Sequence, residues 1–157
     1  MRRSPRSRWR TRGSGLADLL DVNVWLSLSI PDHVHHVRAK RYWDTEAADL
    51  RVLNRVVALG ILRLLTDART FGTAALDAAA ARRVLRSWLG MQRVTFAHDP
   101  PQLDDVLDDW AGSLDIRGRH WTDAYLAAFA TAGGYRLVSF DAGFVRYPGL
   151  AWLHLQP

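Results

Sequence analysis

The sequence predicts an α/β sandwich on a short, mainly parallel sheet. Brief apolar runs (LADLLD, LRVL, RVTF, YRLVSF) alternate with longer stretches of helical period, the chain order of β-α-β units. Taken alone, each run is too short for its period to separate strand from helix; the alternation decides. At 157 residues, 48% hydrophobic and 24% charged, the chain is long enough to close one core without staples.

The elements come in order. Residues 1–12 (MRRSPRSRWRTR) carry six Arg and no acid, and Gly13-Ser14-Gly15 marks a joint. Residues 1–15 are therefore expected to form a basic, disordered arm, with phosphate binding as its alternative role, and residues 16–157 the folded domain. Leu16 to Asp21 reads as the first strand. Asn23 to Ser29 reads as a helix closed before Pro31, because a proline pushes the residue before it out of the helical region. His33 to Ala48 is a second helix, with irregular apolar spacing. Leu50 to Leu53 is the second strand. From Asn54, Val56, Leu59, Leu62 and Leu65 give a helical period as far as Thr66, and Gly72 breaks the segment beyond it. Asp77 caps a helix that runs to Leu89 and stops at Gly90. Arg93 to Phe96 is a third strand, ended by Asp99-Pro100-Pro101, and Gln102 to Leu114 another helix. Gly118 opens a loop, and Thr122 is expected to cap a helix from Asp123 to Ala132, stopped by Gly133-Gly134. Tyr135 to Phe140 and Trp152 to Leu155 are the last strands.

Composition removes several chemistries. With no Cys, a disulfide framework, a thiolate nucleophile, a thiolate-bound zinc and an iron–sulfur cluster are excluded. The net charge of +5 belongs to the arm; without residues 1–12 the chain has 15 basic and 16 acidic side chains. Fifteen of the acids are Asp and one is Glu46, so acid chemistry must run on aspartates. No apolar run reaches about 18 residues, so no membrane span is expected. The stretch after the arm is interrupted by Asp18 and Asp21 and lacks a cleavage site, which argues against export and for a cytoplasmic protein.

Three aspartates stand at telling positions. Asp21 follows the first strand, Asp141 follows the last strong one, and Asp123 opens the helix between them. Ligands of open parallel sheets bind beyond the carboxyl ends of the strands. Three carboxylates meeting there repel one another unless one takes a proton or a cation intervenes. A hard divalent ion resolves the conflict and can activate water against a phosphodiester. Asn23, Thr122 and Ser139 are placed to orient carboxylates or water around it. Each acid also has a plainer reading, as a turn residue or a helix-dipole partner. His33, His35 and His36 are read as a solvated helix start rather than a metal site. Trp25, Trp43, Trp88 and Trp110 are read as core or dimer contacts, with Trp121 a candidate for base stacking. Arg63 is read as pairing with an acid, covering apolar surface or approaching the substrate. No serine-hydrolase elbow, phosphate loop or HExxH is present. A receiver-like phosphoacceptor would need a lysine at the pocket, and Lys40 is the only one.

The blocks LLDVNVWLSL, LGILRLLT, HWTDAYLAAFA and LVSFDAGF resemble those of PIN-domain proteins, and more narrowly the VapC-type ribonuclease toxins of bacterial toxin–antitoxin pairs. The resemblance runs from about Leu16 to Leu155. It implies a PIN-like α/β/α sandwich and a Mg2+-dependent endoribonuclease, with Mn2+ as an alternative ion. It implies Asp21 and Asp123 as metal ligands, Asp141 as the acid completing the catalytic set, and Asn23 as the polar neighbour of the first acid. It also implies an RNA substrate, a VapB-like antitoxin and a homodimer. On this pocket, Arg117, Arg119 and His120 sit at the mouth, where they could hold RNA phosphates. One position departs: where the family carries Glu or Gln before LG, this chain has Ala58. The alternative is therefore a catalytically weakened PIN-fold module that binds RNA or antitoxin.

Overall fold

Strands of three or four residues cannot hold a sheet by themselves; here each is fixed by a parallel neighbour. In the computed structural model, which describes residues 17–156, β1 (Ala17–Leu20) lies at the centre. It pairs in parallel with β2 (Leu50–Leu53) on one side and β4 (Arg136–Ser139) on the other. β3 (Val94–Phe96) adds to β2 and β5 (Trp152–His154) to β4, giving the order β3-β2-β1-β4-β5. The sheet is thus parallel throughout. The expected arm, residues 1–15, lies outside the described residues.

The order reverses between β1 and β4. From β1 the chain steps outward through α1 (Val22–Ser29) and α2 (His36–Thr45) to β2. It steps again through α3 (Arg55–Leu65), α4 (Ala68–Phe71) and α5 (Ala78–Leu89) to β3. It then crosses back through α6 (Leu103–Ala111) and α7 (His120–Gly133) to β4. Right-handed crossovers in opposite directions put the two helix groups on opposite faces. The packing agrees: α1 contacts α2 and α3, α3 contacts α5, and α6 packs on α7. The sheet's inner residues Leu19, Leu20, Leu53, Leu137 and Val138 are wholly buried, against Val24 and Trp25 on one face and Ala127, Ala128 and Phe129 on the other. Gly60 lets α3 pass close to α1. A Cβ there would sit 2.6 Å from a Val22 methyl, one residue from Asp21. Among the described residues no helix is long and apolar enough to cross a membrane.

Several boundaries differ from expectation for local reasons. The second helix starts at His36, because Pro31 to His35 forms turns, and ends at Thr45 rather than Ala48. The sixth ends at Ala111, with Gly112 as its cap. The seventh begins at His120, so Thr122 lies within its first turn and does not cap it; the cap position is Arg119, without a side-chain bond. Gly118 at φ 52° breaks the chain just before. Arg93, expected to open β3, instead takes a left-handed φ of 69°. Lys40 reaches Asp44 at 2.5 Å on the surface of α2, not a pocket at the strand ends.

Among the described residues, the fully buried acid is Asp18 on β1. It takes both Arg136 donors from β4 (2.7 and 2.8 Å), the Tyr42 hydroxyl from α2 (2.6 Å) and the Ala48 amide (2.9 Å). A buried charge so fully bonded locks β4 and α2 to the central strand, and removing it strands Arg136 and Tyr42. Asp18→Ala should lower unfolding free energy by on the order of 3 kcal/mol in urea titration. A loss under about 1 kcal/mol would mean the network is dispensable.

Candidate active site

Ligands of open parallel sheets bind beyond the carboxyl ends of the strands where the strand order reverses, here between β1 and β4. Asp21 stands at that point. Its amide bonds the Val138 carbonyl of β4 at 2.9 Å, carrying the sheet one residue further. Its side chain caps α1, with Oδ1 accepting from the Val22 amide at 2.7 Å. Oδ2 accepts from the Ser139 hydroxyl at 2.7 Å and from Asn23 Nδ2 at 3.0 Å. Ser139 is fully buried, and its Oγ also receives Asn23 Nδ2 at 3.0 Å and the Asp141 amide at 2.9 Å. Asn23 Oδ1 accepts from the Phe140 amide at 3.3 Å. This web binds the ends of the two strands together and holds Asp21 in one orientation.

Asp141 opens the 3-10 turn Ala142–Arg146 and accepts from the Gly143 amide at 2.7 Å through Oδ1. A Cβ at residue 143 would lie 3.0 Å from that oxygen, a tight contact that the carboxylate would have to shift to relieve. Asp123 projects from the first turn of α7, half-buried, with His120 Nδ1 3.6 Å from its Oδ2.

The three carboxylates share one electrostatic field. Burial pushes Asp21 up to about 6, the charges of Asp123 and Asp141 add to the rise, and the Ser139 and Val22 bonds oppose it. Asp123 is raised by burial and then by Asp141, while His120 and Arg119 pull it back. Tyr147, unnoticed in the sequence, is buried nearby; desolvation first and Asp123 next push its phenol up to about 12. Among the described residues no Lys or Arg forms an ion pair with Asp21, Asp123 or Asp141. Nor do three acid or histidine side chains there close into a metal cage. The expected convergence of three acids is thus a shared field rather than a finished ligand shell. That donor set fits a hard ion that takes one or two carboxylates and keeps most of its water.

Other expected residues are placed less centrally. Thr122 is exposed, and its hydroxyl bonds none of the three acids among the described residues. Arg117 is drawn to Asp115, Nε to Oδ1 at 2.5 Å, whereas Arg119 is close enough for its charge to act on Asp123. Ala58 is 1% exposed, its methyl in the core with no donor to offer. The histidines secure the α1–α2 turn: His33 Nδ1 meets Ser27 Oγ at 3.1 Å, and His36 Nδ1 meets the Ser27 carbonyl at 2.7 Å. His35 stacks flat on Phe140 at 4.4 Å. Trp25, Trp43 and Trp88 form one packed aromatic group, and Trp110 packs on Tyr147. Trp121 is 47% exposed.

The PIN domain matches residues 19–150, from β1 to the loop before β5. The chain belongs to the PIN-domain family. Among its PIN relatives, ribonuclease VapC41 of Mycobacterium tuberculosis is 36% identical over 138 residues, covering 84% of this chain and 94% of the relative. Ribonuclease VapC38 of the same organism is 34% identical, covering 80% of this chain and 85% of the relative. Solved structures share the PIN fold. The crystal structure of Mycobacterium tuberculosis VapC20, a sarcin–ricin loop cleaving toxin, superposes with a TM-score of 0.65 at 21% identity, over 89% of this chain and 99% of that one. VapBC-1 of nontypeable Haemophilus influenzae gives 0.66 at 16%, over 89% and 98%.

The raised Asp21 pKa bears on stability. The native state holds this proton up to about 6, whereas the unfolded chain releases it near 3.8. Asp21's contribution is therefore full below 3.8 and lost as pH rises through about 6. In chelator, Asp21→Asn should gain on the parent across that window, by at most about 3 kcal/mol above it, less the cost of the lost Ser139 and Asn23 bonds. Added Mg2+ should then stabilise the parent alone. Parallel stability curves for the two proteins, with and without Mg2+, would contradict this.

Proposed function

We propose that the chain is a metal-dependent endoribonuclease, the toxin of a VapBC-type pair, hydrolysing RNA phosphodiesters. One observation carries the reading: at the switch point of the sheet, Asp21 is a half-buried carboxylate under the charges of Asp123 and Asp141, with no cationic side chain paired to it among the described residues. The relatives at 34–36% identity, named VapC ribonucleases, support the activity. Asp21 and Asp123 would hold Mg2+, or alternatively Mn2+. Bound there, such an ion supplies an acidified water and positive charge beside the phosphodiester oxygens.

The chain's own residues do the rest. Val22, Asn23 and Ser139 orient both oxygens of Asp21. Asp141 adds negative charge from the β4 side and completes the catalytic acids. Arg119 and His120, beside Asp123, would take RNA phosphates at the mouth, with Arg117 further out against Asp115.

A VapB-like antitoxin and a second copy of the chain are the proposed partners. The structural neighbours include VapBC complexes from Rickettsia felis and Salmonella typhimurium, both described as bound to DNA. Uncovered aliphatic side chains at Val34, Val37 and Leu59 (84, 81 and 57% exposed) suit such contacts.

The second reading, a weakened binding module, is favoured by Ala58, a buried methyl at the position where the family carries its second acid. Cleavage of purified RNA separates the two. Asp21→Asn and Asp123→Asn should each abolish Mg2+-dependent cleavage, and chelator should do the same to the parent. If RNA binds the parent but its decay ignores Mg2+ and chelator, the binding module is the correct account. Ser139→Ala, which removes the hydroxyl that supports Asp21 and accepts from Asn23 and the Asp141 amide, should cost about 10–100-fold in rate.

A further inference from the structure

The far end of the same strand edge carries a group that the acid cluster does not use. Leu53 lies opposite Phe96 in the β2–β3 register, and Leu19 opposite Val52 in β1–β2. The Ala97 amide still bonds the Leu53 carbonyl at 2.8 Å, so the loops after β1, β2 and β3 leave the sheet side by side. Two strand spacings put the end of β3 roughly 10 Å from that of β1.

At that end the half-buried Phe96 ring is covered by Arg55, whose guanidinium carbon lies 4.8 Å from the ring centroid. The exposed His98 ring meets Phe96 edge-on, at 5.4 Å and 70°. Arg55 is the first residue of α3, exposed, and pairs with no carboxylate among the described residues. A cation at a helix N-terminus opposes the helix dipole, so helix stability does not explain it. The nearby acid, Asp99, is turned to Tyr125, whose hydroxyl donates to it at 2.6 Å. What remains outward is a planar guanidinium on an aromatic face beside an imidazole. Side chains of this kind stack unpaired bases and reach their edges or phosphates.

We propose that Arg55, Phe96 and His98 form a nucleobase subsite for single-stranded RNA, a short span along the strand ends from Asp21. The proposal rests on the ribonuclease reading and extends it. A base held here fixes which phosphate reaches the acids, and so where the chain cuts. RNA is favoured over a protein partner because the group joins stacking faces to an unpaired cation, whereas the aliphatic exposure at Val34 and Val37 lies at the α1–α2 turn and on α2.

The test uses the full chain and short labelled single-stranded RNAs, with affinity read by anisotropy in chelator and cleavage read in Mg2+. Phe96→Leu keeps the packing and removes the π face; Arg55→Lys keeps the charge and removes the planar one. Each should bind RNA about tenfold more weakly, raise KM more than it changes kcat, and alter the cut positions on a longer RNA. Circular dichroism and melting should match the parent. A parent that cleaves, with variants equal to it in affinity, KM and cut positions, overturns the subsite and leaves the ribonuclease reading intact. Unchanged RNA affinity with altered sedimentation would assign the group to self-association and also overturn it. A parent that binds RNA without Mg2+-dependent cleavage fails the ribonuclease reading instead, and the anisotropy series still decides the subsite.

Discussion

Asp21 serves two structural partners and still carries a charge that no side chain among the described residues neutralises. One oxygen caps α1, and the other is held from β4 through Ser139, so the carboxylate ties the two central strands together where their connections part. Burial and the like charges of Asp123 and Asp141 make its ionised form costly. A folded chain that keeps such a group pre-positions a demand for positive charge. The hydroxyl and amide supports and the placement of the other acids all gain their meaning from where that demand sits.

The scaffold bears this cost because its stiffness comes from elsewhere. Asp18, three residues before the crevice, is fully bonded to Arg136, Tyr42 and the Ala48 amide. Along one short stretch of chain, then, one aspartate is satisfied by a bidentate cation and another is left without one. The first anchors β4 and α2 to β1. The second depends on that anchoring for its geometry, since Ser139 lies at the end of the strand that Arg136 begins.

Much of this could be read in the residues. The alternation of short apolar runs with helical stretches specified a parallel α/β sheet, because parallel strands need crossover helices. Asp21, Asp141 and Asp123 were visible because strand ends and helix starts are local features. The start of α7 lies earlier than local capping preference suggests: Thr122 is a better capping residue than Arg119, but Gly118 and the turn after it let the helix begin at His120. Asp18 gave no signal, since an aspartate inside an apolar run looks like an interruption until its partners, up to 118 positions away, are known. Tyr147 and the Arg55–Phe96–His98 group were equally silent, being built from residues that adjoin only in space.

By itself the sequence determined the element order, the absence of thiol chemistry, the reliance on aspartate and the three positions where acids follow strands or open a helix. These depend on local propensity and on residue identity, which need no partner. Only the tertiary structure decided how the acids relate. It made them a coupled field without a closed cage among the described residues, gave Ser139 the role of hub, turned Arg117 toward Asp115 and buried Ala58 in the core. Those outcomes turn on the register of β1 against β4 and on the approach of α3 and α7, and through-space distances of that kind are set by packing rather than by any one stretch of chain.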